Sequence, residues 1–162
     1  MSTGDLTAQD ERHLADVIAL AQRSRDTGHH PFAALVVAAD GHVIAEAMNA
    51  SSSDRTAHAE MNALRQASSQ YDPADLAGAT LYSSAEPCAM CAGATYWAGV
   101  GRVVYALSEA SLLALTGSDP ENPTLSLPCR QVFATGQRPT EVIGPVREAE
   151  ASVAHAGFWR KG

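Results

Sequence analysis

The amino-acid sequence predicts an α/β protein, a three-layer sandwich in which helices cover both faces of a mixed five-stranded sheet. Two observations support this prediction. Short apolar runs of strand length alternate along the chain with segments whose apolar residues have helical spacing. The order strand, helix, strand in the middle of the chain indicates a parallel crossover, whereas a hairpin signal near the start indicates an antiparallel pair.

The first third of the chain predicts one helix and two strands. Apolar residues recur at helical spacing over Leu6–Thr27, and a glycine follows as a stop signal. Apolar runs at Phe32–Ala38 and Val43–Ala47 predict two strands. The dipeptide Asp40-Gly41 between them is typical of a hairpin turn, so the two strands are expected to be adjacent and antiparallel.

The rest of the chain continues the alternation of strands and helices. A break is expected at Asp72-Pro73-Ala74-Asp75, and an irregular loop over the proline-rich Gly117–Pro128. Because no repeat, low-complexity tract or long linker appears, we expect a single domain over residues 1–162. The remaining predicted elements are helices at 58–69, 88–98, 108–116 and 146–159, strands at 79–83, 102–107 and 141–143, and a short apolar turn at 131–135.

Composition and charge limit the possible functions. The chain is 46% hydrophobic and 18% charged, without an apolar run of bilayer-spanning length or a signal peptide, so we expect a cytoplasmic protein that does not bind a membrane. Its three cysteines do not form a disulfide framework. A net charge of -7 without a basic block argues against a polynucleotide partner and favours a small neutral substrate.

Two short motifs predict a metal site. Cys88 and Cys91 have the spacing that places both on one side of a helix, and Pro87 suits the first turn of that helix. Thiolates at a helix N-terminus are stabilised by the backbone dipole. With His58 as a third ligand, two sulfurs and one imidazole form a zinc site, and Glu60 lies close enough to act on a water molecule there.

A structural zinc site is the main alternative to a catalytic one. A structural site normally has four protein ligands, and the further candidates are Cys129, His29 and His30. A free cysteine is commonly a buried apolar residue, and histidines of a predicted loop are commonly solvated. With three ligands from the two motifs, the fourth position remains for water, which favours a catalytic site.

The two motifs together are similar to those of a known superfamily. The pattern H-x-E followed by P-C-x-x-C occurs here as His58-Ala59-Glu60 and Pro87-Cys88-Ala89-Met90-Cys91, and it is the signature of zinc-dependent deaminases. The sequence therefore resembles the cytidine deaminase-like superfamily. Within it, Ser83–Cys91 and Tyr96-Trp97-Ala98 are most similar to bacterial guanine deaminases.

The resemblance implies a fold, a cofactor and an activity. The fold would be cytidine deaminase-like, with one Zn²⁺ per chain held by His58, Cys88 and Cys91. The activity would be hydrolytic deamination of a free nucleobase, with guanine or a related aminopurine or triazine as the first expectation. Glu60 would carry the protons of the reaction. A homodimer is also expected from the family.

The resemblance also implies residues that bind the base. Asn49, at the end of the second strand, would hydrogen-bond the ring, and Phe32 would form part of the pocket wall or of the core. The backbone N–H groups at the start of the Cys88 helix, with Ala59 opposite, would bind ring atoms. Trp97 lies on the same helix, where a place in the core or in a subunit interface is the alternative to a substrate contact.

Two further features of the related enzymes have candidates near the C-terminus. A second acidic residue handles the proton of the leaving amine, and Asp119 lies at the matching distance from Cys88, with Glu109 as the alternative. An aromatic C-terminus covers a pocket, a role that Phe158 and Trp159 would fill for this chain or for a partner. Packing on the chain's own core explains these two aromatic residues equally well.

Three other functions stay open at this point. A tRNA adenosine deaminase shares both motifs, but it needs a basic surface for its RNA. A cytosine deaminase also shares them. A binding module that keeps zinc without catalysis is the alternative from a different class of protein, and the presence of Glu60 argues against it.

Overall fold

The computed structural model describes residues 5–160, so the first four and last two residues of the predicted domain lie outside this range. In the described part of the chain, no helix has both the length and the apolar character that crossing a bilayer requires. The strands are β1 Ala33–Val37, β2 Val43–Met48, β3 Thr80–Ala85, β4 Arg102–Leu107 and β5 Glu141–Ile143. The helices are α1 Ala8–Asp26, α2 Ala59–Ser68, α3 Pro73–Leu76, α4 Ala89–Ala98, α5 Glu109–Thr116, α6 Cys129–Ala134 and α7 Glu148–Ser152, which a 3-10 turn at Val153–His155 follows.

The five strands form one sheet in the order β2-β1-β3-β4-β5. Strand β1 pairs antiparallel with both β2 and β3, as the hairpin signal predicts for the first of these pairs. Strands β3, β4 and β5 are parallel neighbours, and α4 makes the crossover between the first two. The predicted mixed five-stranded sheet is therefore confirmed.

Alternating side chains of each strand face two different helical layers. In β1, Val36 belongs to a core with Leu64 of α2, and its neighbour Leu35 belongs to a separate core with Leu14 of α1. Such alternation follows from the two-residue period of a strand. Because both faces are covered, the three central strands β1, β3 and β4 are buried along almost their whole length, and the predicted three-layer sandwich is confirmed.

Two short helices differ from the prediction. The segment expected to be only a break forms α3. Asp72 is its N-cap and forms a capping box with Asp75, and Pro73 occupies the first helical position. The expected turn at 131–135 is the end of α6, which already begins at Cys129. Helices of four and six residues are too short to show a periodic pattern.

The final predicted helix is shorter than expected. Helix α7 begins only at Glu148, because Arg147 before it has a left-handed backbone with φ 55°. The helical segment ends at His155, and Gly157 follows with φ 70°. Residues 156–159 therefore form a turn, and this turn positions the C-terminal aromatic side chains.

A buried carboxylate ties α1 to the sheet. Asp10, only 1% exposed, accepts hydrogen bonds from Tyr82 Oη at 2.6 Å and from the two terminal nitrogens of Arg102 at 2.7 and 2.8 Å. Burial alone would raise the pKa of this carboxyl, but the hydrogen bonds from Arg102, Thr7 and Tyr82 outweigh it and hold the pKa well below its usual range.

We expect Asp10→Asn to lower the free energy of unfolding by about 2 kcal/mol, because it leaves the guanidinium of Arg102 with only the exposed Glu141, at 3.4 Å, as a counter-ion. The side chain of Arg102 is 21% exposed, so water replaces part of the lost interaction. Urea unfolding measures the change, and Asp16→Asn on the exposed side of α1 is the matched control. Equal midpoints for the two variants would contradict the role of Asp10.

The same carboxylate predicts a dependence on pH. A pKa below its unfolded value of about 3.9 stabilises the fold above that value, and this stabilisation is lost as the pH falls. The stability difference between the wild type and Asp10→Asn should therefore shrink between about pH 4 and about pH 2. A difference that stays constant over this range would show that the charge of Asp10 is not responsible.

Candidate active site

The two predicted metal motifs meet at one edge of the sheet. Strand β3 ends at Ala85 and leads into Cys88, which is the N-cap of α4, with Cys91 in the first turn of the same helix. His58 is the N-cap of α2, and α2 packs against α4. The metal ligands therefore lie where the carboxyl end of a central strand meets two helix N-termini, a common place for sites in α/β proteins.

The spacing of these three side chains fits a zinc ion. The Nδ1 atom of His58 lies 3.6 Å from the Sγ atoms of both Cys88 and Cys91, and the three donor atoms lie within 4.8 Å of one another. Zinc bonds of about 2.3 Å to sulfur and about 2.0 Å to nitrogen, at a tetrahedral angle, separate these donors by about 3.5 Å. Geometry and ligand chemistry both support the predicted cofactor.

No fourth protein donor joins this group among residues 5–160. Cys129 is fully buried at the start of α6, and His29 and His30 lie in the loop before β1. Three protein ligands are typical of a catalytic zinc, in which the fourth position belongs to water or substrate. The structural zinc site considered from the sequence therefore lacks its fourth ligand.

The pKa values of the two thiols shift in opposite directions. Hydrogen bonds from Cys91 and His58 lower the pKa of the Cys88 thiol to about 4, which favours its thiolate form. The hydrogen bond to Cys88, together with burial, raises the pKa of the Cys91 thiol well above its usual range. Binding of zinc at neutral pH is therefore expected to release a proton from Cys91.

Glu60 lies beside the metal ligands in the first turn of α2. Its side chain is 6% exposed, and burial, followed by the negative charge of Cys88, raises its pKa to about 7. A carboxyl with a pKa near neutrality accepts and releases protons readily at physiological pH, as a general acid and base must.

A cavity of about 980 Å³ opens beside these groups. His58, Glu60 and Cys88 form part of its wall, so a bound ligand would touch the metal site and the carboxyl together. Further wall residues come from the loops around β1 and β2, from α5 and from the segment after α5. They include His30, Phe32, Asn49, Ser51, Glu109, Leu112 and Leu125, and the C-terminal turn adds Phe158.

Asn49 is held in one orientation. Its Oδ1 accepts hydrogen bonds from the backbone N–H of Ser51 at 3.0 Å and from Ser51 Oγ at 2.8 Å. The side-chain carbonyl is therefore occupied, and the amide Nδ2 is the donor that Asn49 offers to a ligand. The backbone N–H of Asn49 donates to the carbonyl of Phe32 at 3.1 Å, so these two predicted substrate contacts belong to one wall.

The C-terminal aromatic residues lie at this chain's own cavity. Phe158 lines the cavity, with Trp159 packed edge-on at 4.8 Å and buried behind it. The indole Nε1 of Trp159 donates to His155 Nδ1 at 2.9 Å, and Arg25 donates to the carbonyls of Ala154 and Ala156 at 3.0 and 2.6 Å. Trp159 therefore supports Phe158 and does not line the cavity itself.

The two candidate acids differ in position. Asp119 does not line the cavity. Its Oδ1 accepts a hydrogen bond from the backbone N–H of Glu121 at 2.9 Å, and its Oδ2 accepts one from the backbone N–H of Arg160 at 2.6 Å. These two hydrogen bonds lower the pKa of the Asp119 carboxyl. Glu109 does line the cavity, and burial, with the nearby charges of Cys88 and Glu86, raises its pKa to about 8. The structure therefore brings Glu109, and not Asp119, to the cavity.

Of the other predicted substrate contacts, Trp97 lies away from the cavity. It is 80% exposed, because it lies six positions after Cys91 along α4 and is thereby turned to the outer face. Ala59 is fully buried as the first residue of α2, between His58 and Glu60, which both line the cavity. Its contact with the base through the backbone N–H stays a prediction. Glu86, which directly precedes Pro87, has no role that its local sequence predicts.

A zinc-ligand set of one histidine and two cysteines, with a buried glutamate and a cavity beside it, defines a zinc-dependent hydrolytic deaminase. The sequence profile of the cytidine and deoxycytidylate deaminase zinc-binding region matches residues 7–107, and the chain belongs to this family. The suspected superfamily is thereby confirmed.

Relatives in this family bear names that refer to different bases. A probable cytosine deaminase of Schizosaccharomyces pombe is 39% identical over 163 residues, which cover 100% of this chain and 99% of that protein. The guanine deaminase of Bacillus subtilis is 47% identical over 78 residues, 47% of this chain and 49% of that protein. The structure of NE0047 in complex with 2,6-diaminopurine has a TM-score of 0.75 at 28% identity and covers 96% of this chain and 85% of that chain.

Proposed function

We propose that this deaminase acts on a free nucleobase, with guanine or a related aminopurine as the first candidate. The observation that carries the proposal is the cavity, which joins the metal ligands and Glu60 to aromatic side chains and a hydrogen-bond donor. Phe32 and Phe158 offer ring surfaces on which a planar base packs. Asn49 offers its amide N–H₂ to a ring nitrogen or carbonyl of the base.

In this proposal water hydrolyses the bond between the ring carbon and the amino group. Overall, the C–NH₂ group and H₂O become a C=O group and NH₃. When bound, zinc supplies the Lewis acidity that activates a water molecule for attack on the amidine carbon. Glu60 accepts the proton that this water loses, passes it to the adjacent ring nitrogen and helps to protonate the departing ammonia. Asn49 orients the ring, and Phe158 excludes bulk water from it.

Cytosine is the second candidate, because the full-length relative in Schizosaccharomyces pombe bears the name of a probable cytosine deaminase. A tRNA substrate is less compatible with a net charge of -7, since tight RNA binding relies on basic side chains. A base in a tRNA would also have to pass Phe158 at the cavity wall.

Release of ammonia tests the proposal directly. The zinc-loaded protein is incubated with guanine, adenine, cytosine, guanosine, cytidine and ammeline, and with a tRNA transcript at low enzyme concentration. We expect ammonia and xanthine from guanine, or the corresponding product from a related aminopurine. Cytosine as the best substrate would favour the second candidate, and deamination of tRNA alone, or of no substrate, would contradict the proposal.

We also propose that the single domain of residues 1–162 forms a homodimer. Gly93, Ala94 and Trp97 lie on one side of α4, and an exposed tryptophan beside two small residues is a surface that another protein readily covers. We expect sedimentation at micromolar concentration to show a dimer, and Trp97→Ser to weaken it at least 10-fold. A monomeric wild type, or an unaffected variant, would contradict this assignment.

A further inference from the structure

Glu109 is a buried acid whose carboxylate has no hydrogen-bond partner among the described residues. The residue is 8% exposed, at the first position of α5, and it lines the cavity together with Glu60 and Cys88. Its backbone N–H donates to Glu86, and its side chain makes no hydrogen bond to another described residue. Its carboxyl group lines the cavity without a protein partner there, so its oxygen atoms are available to water or to a ligand that enters the cavity.

Glu86 holds this part of the cavity together. Its Oε1 accepts the backbone N–H of Glu109 at 3.0 Å, and its Oε2 accepts the backbone N–H of Cys129 at 2.8 Å. Glu86 is itself 8% exposed and lies two residues before Cys88. One carboxylate therefore joins the starts of α5 and α6 to the loop that carries a metal ligand, and negative charge is favourable at helix starts.

Asp119, the other candidate acid, is already engaged. Both of its oxygens accept backbone N–H groups, from Glu121 and Arg160, and these bonds tie the segment after α5 to the C-terminal turn. A carboxylate with both oxygens occupied in this way serves the fold. Of these two acids, only Glu109 remains for a ligand in the cavity.

We propose that Glu109 is a substrate-binding residue whose carboxyl accepts a hydrogen bond from an N–H group of the base, and that Glu86 is the positioning residue that holds Glu109 in place. This inference rests on the proposed function. Asn49 supplies a donor and Glu109 an acceptor, so together they match amino-bases, which carry both kinds of group on their edges. Bases that lack the N–H are expected to be discriminated against, because Glu109 would then stay unpaired.

A series of variants at Glu109 tests the first part. Binding of 2,6-diaminopurine to the zinc-loaded protein is measured by calorimetry. The value of kcat/KM is measured with the base from which the wild type releases ammonia. Glu109→Leu removes the acceptor, so we expect a loss of about 100-fold in both. Glu109→Gln keeps one neutral acceptor, so its affinity and its kcat/KM should lie between those of Glu109→Leu and those of the wild type. Asp119→Asn, the comparison acid, should stay within about 3-fold of the wild type if folded.

The two proposals fail in different ways. If no base releases ammonia, the proposed function fails, while the calorimetric comparison still decides the role of Glu109. Equal binding by the wild type and Glu109→Leu, or no binding by the wild type, would overturn the inference. A 100-fold loss of kcat/KM in a folded Asp119→Asn enzyme, with little effect of Glu109→Leu, would transfer the role to Asp119.

A double-mutant cycle tests the positioning role of Glu86. Glu86→Gln replaces one of the two acceptor oxygens by an N–H₂ group that faces a backbone donor, so Glu109 should shift and kcat/KM should fall about 10-fold. In the Glu109→Leu background the same substitution should cause no further loss. Equal losses in both backgrounds would show that Glu86 acts on the fold in general and not through Glu109.

Discussion

Glutamine in place of Glu60 should abolish turnover and leave zinc bound. Proton transfer by a positioned carboxyl contributes about 10² to 10⁴ in rate, so we expect kcat to fall at least about 1000-fold. The substitution keeps the shape of a side chain that is only 6% exposed, and Glu60 is not one of the three metal ligands. Ammonia release and metal analysis on the same sample measure the two effects.

The control for this variant is Glu46→Gln, which changes an exposed acid on β2 and should leave both zinc and turnover unchanged. A Glu60→Gln enzyme with a near-normal rate would remove the assignment of Glu60 as the proton carrier. Loss of zinc together with activity would instead indicate that Glu60 maintains the metal site.

The second large effect is expected from Cys91→Ala. Cys91 is fully buried in the first turn of α4, and its loss leaves only His58 and Cys88 as protein ligands. Since two ligands bind zinc far more weakly than three, we expect less than about a tenth of the zinc to remain after dialysis, with a parallel loss of turnover.

Cys129→Ala is the matched control, because Cys129 is also a fully buried cysteine but lies outside the ligand group. It should lose some stability through the smaller side chain and keep its zinc. Full zinc content in Cys91→Ala, or loss of zinc in Cys129→Ala, would contradict the ligand assignment.

Long elements of the fold were predictable because their patterns are strong. Strand β1 is apolar throughout since both of its faces are covered, and the 19-residue helix α1 is long enough to show its period. The wrong predictions concern short segments whose structure depends on local backbone conformation. Helix α3 depends on a capping box at Asp72, and the end of the last helix depends on the left-handed Gly157.

The metal ligands were predictable because each motif carries its spacing locally, so His58 and Glu60 lie in one turn, as do Cys88 and Cys91. The substrate cavity depends instead on contacts between distant segments. Glu86 meets partners 23 and 43 residues further along the chain, and no local pattern indicates such contacts.

For Asp119, the distance along the sequence predicts a role that the folded loop does not allow. Its distance in sequence from Cys88 suits a catalytic acid, but the loop that carries it folds so that Asp119 binds the backbone of Glu121 and Arg160. Counting residues along an irregular segment does not determine which side chains face a cavity. The C-terminal turn is similar, since Arg25 fixes it across 131 residues of sequence.

We infer that one histidine and two cysteines bind a catalytic zinc whose fourth ligand is not a protein side chain. X-ray absorption at the zinc edge on the purified protein decides this point. We expect one zinc per chain with two sulfur and two nitrogen or oxygen neighbours. A third sulfur neighbour, a shell without sulfur, or a protein that binds no zinc would contradict it.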